Sequence, residues 1–88
     1  RYPMHRQYKI DAAIVANNVG QANLRLHRLD VAESRFQHAR QSLESLQHTQ
    51  LKTSIAGILH NLALTSERKG DFHSALTLID ESIAMQDN

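Results

Sequence analysis

Residues 61–84 read NLALTSERKGDFHSALTLIDESIA, and the break in the middle of this stretch decides the fold. Leading into it, Leu51, Ile55, Ile58, Leu59, Leu62 and Ala63 recur by threes and fours. That spacing gathers them on one face of a helix. The stripe stops before Gly70-Asp71 and resumes with Phe72, Ala75, Leu76, Ile79 and Ile83. Glycine takes the left-handed conformation that ends a helix, and aspartate caps the first free N–H groups of the next. A link this short folds the second helix back antiparallel to the first.

The same pattern fills the rest of the chain. Tyr8, Ala12, Val15, Ala16, Val19, Ala22 and Leu26 form one stripe, and Leu29, Ala32, Phe36, Ala39, Leu43 and Leu46 another. The spacing predicts four helices near 5–27, 30–47, 50–69 and 72–86, with Asp30 capping the second and Thr49 the third. Pro3 is the only proline, so nothing after it forbids helix. The expected architecture is all-α, in two antiparallel helix–turn–helix pairs.

The two pairs are copies of one another. A shift of 43 residues superposes seven identities: His5/His48, Gln7/Gln50, Lys9/Lys52, Ala13/Ala56, Asn18/Asn61, Arg25/Arg68 and Ala32/Ala75. Apolar classes coincide too, as in Tyr8/Leu51, Val15/Ile58, Val19/Leu62, Leu29/Phe72 and Phe36/Ile79. Self-similarity at a fixed period is the signature of stacked repeats. Residues 1–88 are read as one domain, with repeats at about 5–47 and 48–88.

Composition narrows the function classes. Apolar residues make up 41% of the chain and only Tyr2, Tyr8, Phe36 and Phe72 are aromatic, so aliphatic side chains must build the core. A net charge of +1 offers no basic footprint for nucleic acid. The absence of cysteine excludes disulfides, thiolate metal sites and a cysteine nucleophile. No run approaches the roughly 20 apolar residues that span a bilayer, so no membrane insertion is expected. The chain opens at Arg1 without a signal-peptide pattern and reads as a segment or processed product of something longer, expected in the cytoplasm.

Asn18-Val19-Gly20 followed by Ala32, Phe36 and Ala39, and Asn61-Leu62-Ala63 followed by Gly70-Asp71-Phe72, Ala75, Ile79 and Ser82, resemble the tetratricopeptide repeat. The resemblance implies a short right-handed α-solenoid of two stacked hairpins. It departs from the family where Ala16, Asn23, Leu59 and Ser66 replace large aromatics, and where the proline after the second helix is missing. The period exceeds the common one of about 34 residues. Long repeats of this kind resemble those of kinesin light chains and of bacterial signalling or transcriptional regulators.

The family likeness implies a protein- or peptide-binding module rather than an enzyme. The expected groove comprises Asn17, Asn18, Gln21 and Arg25 on the first helix and His60, Asn61, Leu64 and Arg68 on the third, with Ile14 and Gly57 in the same stripes. Asparagine can pair with a peptide backbone through its own donor and acceptor. Arginine can grip an acidic or C-terminal carboxylate. Asn18 and Asn61 can equally bond neighbouring helices, and Arg25 and Arg68 can be solvated or paired with Glu67 or Glu33. Gly57 is expected to admit close packing by the second helix, the alternative being room for a ligand. No two of the six histidines lie three or four apart, so neither a metal site nor a cofactor is expected. The alternative role is self-association as a homodimer, with Leu78 and Met85 of the fourth helix as the contact.

Overall fold

The computed structural model describes residues 3–46 and 51–87. It contains α1 (Pro3–Arg25), α2 (Leu29–Glu44), α3 (Lys52–Arg68) and α4 (Phe72–Asp87), and no strand among the described residues. Pro3 opens α1 in the first turn, where its missing N–H removes no intrahelical bond.

Both hairpin turns close in the same way. The His27 N–H donates to Leu24 O and the Arg28 N–H to Asn23 O, at 3.0 and 2.8 Å. Forty-three residues on, Gly70 donates to Glu67 O and Asp71 to Ser66 O, at 2.9 and 2.8 Å. This paired closure satisfies carbonyls at the helix end, and it needs a left-handed residue just past that end. Gly70 has φ 87°, whereas His27 holds φ 60° with a side chain attached. A Cβ is unfavourable there, so His27→Gly is expected to stabilise the fold by roughly 0.5–1 kcal/mol. Thermal denaturation checks it; a lower melting temperature would show that the His27 side chain contributes more than its strain costs.

Asp71 begins α4 as expected. The Ser74 N–H donates to Asp71 Oδ1 at 3.1 Å and the Ser74 hydroxyl to Oδ2 at 2.7 Å. The Ser74 hydroxyl first and its N–H second hold the Asp71 carboxyl below its ordinary value. The stabilisation is therefore present above the unfolded carboxyl value of about 3.9 and is lost as pH falls through the lower folded value. Melting curves between pH 6 and 2 should show a shallower acid limb for Asp71→Asn, which keeps a capping oxygen without the charge. Asp30 does not play the matching role. Arg28 precedes α2 without a side-chain cap, because the turn closes at Arg28 and leaves Leu29 as the first helical residue. Asp30 sits in the first turn, where its charge still suits the helix dipole. Thr49 lies outside the described residues.

Side-chain bonds fix the order of packing. Lys9 Nζ to Ser45 Oγ (3.1 Å) sets the start of α1 beside the end of α2, and Ser82 Oγ to Ala56 O (3.1 Å) does the same for α4 and α3. Lys69 binds Asp30 and Glu33 at 2.9 and 3.2 Å, which sets α3 antiparallel to α2. Asn61 Nδ2 to Asn17 Oδ1 (3.0 Å) and Arg68 Nη1 to Leu24 O (3.5 Å) align α1 and α3 in parallel. Arg40, between Glu44 and Glu81 at 3.1 and 2.7 Å, ties α2 to α4. The result is a thin slab of 42 × 29 × 14 Å.

The core runs along α2 and α3 as the stripes predict. Ala32, Phe36, Ala39, Leu43, Ile55, Ile58, Leu59 and Leu62 are buried, and Ala75 joins them at the α3–α4 crossing. The end helices differ from expectation. On α1 the packed face is Ala13, Ala16, Gly20 and Leu24, while Tyr8, Val15, Val19 and Leu26 are exposed, Tyr8 at 72% and Leu26 at 63%. On α4, Phe72, Leu76, Ile79 and Ile83 are exposed, whereas Leu78 and Met85 pack against the core. Leu78 and Met85 are therefore not the exposed contact expected of them. Each end helix has two apolar faces, and α2 or α3 covers only one.

Candidate functional groove

α1 and α3 lie side by side in parallel, and a cavity of about 460 Å³ opens between them. Its walls come from equivalent positions of the two repeats. Ile10, Ile14 and Asn17 on α1 face Thr53, Gly57 and His60 on α3, each pair separated by the 43-residue period. Leu43, Leu51 and Ile58 form an apolar floor, and Gln21 and Asn61 extend the polar rim. A concave apolar surface with a few converging polar groups is the usual form of a binding site.

Two amides meet in this groove. Asn61 spends one amide N–H on the Asn17 carbonyl, and this half-buried bond joins the hairpins. The Asn17 amide and the Asn61 carbonyl are left as a donor and an acceptor at the rim. The Asn61 backbone carbonyl also takes the hydroxyl of fully buried Thr65 at 2.8 Å, so the helix around it is held from inside.

The expected groove residues divide. Asn17, Gln21, His60 and Asn61 line this cavity. Leu64 and, again, His60 line a second cavity of about 370 Å³ on the face of α3 and α4. Asn18 is exposed and lines neither. Arg25 and Arg68 end α1 and α3 at the same end of the groove, each in a last helical turn where the dipole favours a cation. Arg68 spans the two helices to reach Leu24 O, and Glu33 pairs with Lys69 rather than with either arginine. Ile10 and Thr53 were not foreseen. Both fall in the stripes of Ile14 and Gly57, one turn nearer the N-terminus, so extending the stripes by four residues finds them.

Gly57 resolves in favour of space. Beyond its chain neighbours and the backbone of its own helix, no atom lies within 4 Å of the position its Cβ would take, so the expected close packing is not its role. Gly57→Ala is expected to raise stability by roughly 0.5–1 kcal/mol through helix propensity. A chemical-denaturation midpoint that fell instead would mean that α3 is held differently.

Among the described residues no group of three His, Cys, Asp or Glu side chains is arranged to hold a metal ion. Among the described residues, no helix is long and apolar enough to cross a membrane. The fold and groove together define an all-α protein of two repeated hairpins with an interhelical cleft. No known protein family, curated protein or solved structure matches the chain.

Proposed function

We propose that this protein is a tetratricopeptide-like module that binds a protein segment or peptide in the groove between α1 and α3. The observation that carries it is the convergence of the Asn17–Asn61 amide pair over an apolar floor, beside an open glycine position. Apolar side chains of a segment would enter over Gly57, and its backbone would meet the two amides. Arg25 and Arg68 favour a ligand whose acidic side chain or C-terminal carboxylate points to that end, since guanidinium matches carboxylate geometry. The sequence likeness to long-repeat modules favours a sensor or scaffold part of a cytoplasmic bacterial regulator.

Selection from a random-peptide library displayed with free C-termini tests this reading. Enriched peptides should bind the wild-type chain and lose affinity with Gly57→Leu, which fills the groove without touching the core. They should weaken also with Arg25→Ala/Arg68→Ala and in added salt. Enriched peptides that bind Gly57→Leu as well as the wild type would sink the assignment of this groove.

A further inference from the structure

The exposed faces of α1 and α4 stand in the same repeat register as the two faces that pack together inside the chain. Val15 and Val19 correspond to Ile58 and Leu62, which are buried on α3, and exposed Ile79 corresponds to Phe36, which is buried on α2. The second cavity, lined by Ala63, Phe72, Ala75, Leu76 and Ile79, occupies positions equivalent to Gly20, Leu29, Ala32, Glu33 and Phe36. In the first repeat that seat lies against α3; in the second it is open. The internal α2–α3 junction is thus a template for what fits both ends.

Moving the bonds that α3 and its cap Lys69 make to the first repeat by one repeat gives a pairing between two molecules, in which Lys69 with Asp30 becomes Leu26 with His73. Lys69 with Glu33 becomes Leu26 of one copy with Leu76 of another, and both leucines are 63% exposed. Arg68 with Leu24 O becomes Arg25 with the main-chain carbonyl of Glu67, a residue whose own carboxylate also suits the cation. Asn61 with Asn17 becomes Asn18 with His60, again donor with acceptor. Both partners change in the Lys69–Glu33 pair, from an ion pair to two leucines; arginine and asparagine are kept in the Arg68 and Asn61 pairs, whose partners become Glu67 and His60 and stay complementary. We infer that the α3–α4 face of this chain docks the α1 face of a second copy, head to tail, in the 43-residue register of its own internal junction. The contact also accounts for Asn18 and Arg25, which line neither cavity. A heterologous contact of this kind does not close on itself, so assemblies grow beyond the dimer unless the rotation closes a ring.

Sedimentation velocity of the 88-residue chain over a wide concentration range tests it. The wild type should associate reversibly and pass beyond the dimer. Leu26→Lys or Leu76→Glu alone should weaken association by about tenfold or more, because each buries an unpaired charge against a leucine. Both positions are exposed, so circular dichroism should show the helices intact. The double variant Leu26→Lys/Leu76→Glu should associate again, since it recreates between copies the ion pair that Lys69 and Glu33 make within one. A wild type that stays monomeric at every concentration overturns the inference. So does a dimer that never grows, or single-variant losses that the double variant does not restore.

Discussion

Phe36→Ala is expected to cost roughly 3–5 kcal/mol, the largest effect of any single change considered for this chain. Phe36 is fully buried at the middle of α2 and is the only aromatic residue in the core among the described residues. Its ring meets α1 at Gly20, and α2 in turn packs against α3. The packed face of α1 is Ala13, Ala16, Gly20 and Leu24, and Gly20, the residue against the ring, has no side chain to collapse into the vacated space. A cavity that cannot relax adds to the lost transfer energy. A domain of this size has only a few kcal/mol to lose, so the variant should be largely unfolded at moderate temperature. A cooperative melt within a few degrees of the wild type would show that α1 does not rest on this ring.

Gly20→Ala is expected to act on the same contact from the other side. A Cβ at residue 20 would stand 2.6 Å from Phe36 Cε1 and 2.7 Å from Cδ1, closer than carbon atoms approach. The ring has no exposed direction in which to swing, so α1 must move away from α2. Overpacking of this kind costs typically about 1–3 kcal/mol, and a rigid ring places it toward the upper end. The two sites touch, so their effects should not add. Phe36→Leu should relieve part of the Gly20→Ala penalty, and a double-mutant cycle measures it. Strict additivity would mean that the predicted clash is absorbed elsewhere. The contrast with Gly57 is informative: on the open groove wall a methyl is expected to help, and on the packed wall to harm.

These effects also bear on the groove. Asn17, Gln21 and the apolar wall of α1 hold their positions because the adjoining face of the helix, at Gly20, is seated on Phe36. Loosening that seat would widen the cleft and separate Asn17 from Asn61 before the hairpins come apart. A binding assay on Gly20→Ala should therefore lose affinity at temperatures where the chain is still folded.

The sequence by itself determined the helices, the two hairpin turns and the repeat. Apolar spacing near 3.6, Gly70-Asp71 and the 43-residue self-similarity are local properties of the chain, and backbone sterics and capping act on them locally. The buried stripes of α2 and α3 were readable for the same reason: Phe36 and Leu62 belong to the one strong apolar face of a helix with neighbours on both sides. Which face of each end helix is covered was not readable. Tyr8, Val15, Val19 and Leu26 make as regular a stripe as any in the chain, yet α1 packs through the small residues Ala13, Ala16 and Gly20, because Phe36 already fills the space between the helices. On α4, Leu78 and Met85 turn inward with Ser82, which reaches Ala56 O, and the stronger stripe from Phe72 to Ile83 faces out. Periodicity gives the number of apolar faces on a helix. Which face is covered depends on the volume and position of its neighbours, and only the tertiary structure supplies those. The groove follows the same division: the repeat register placed Asn61 and Gly57 in one stripe, but the partner of Asn61 is Asn17 rather than Asn18, since the rotation between α1 and α3 sets which amides come within reach.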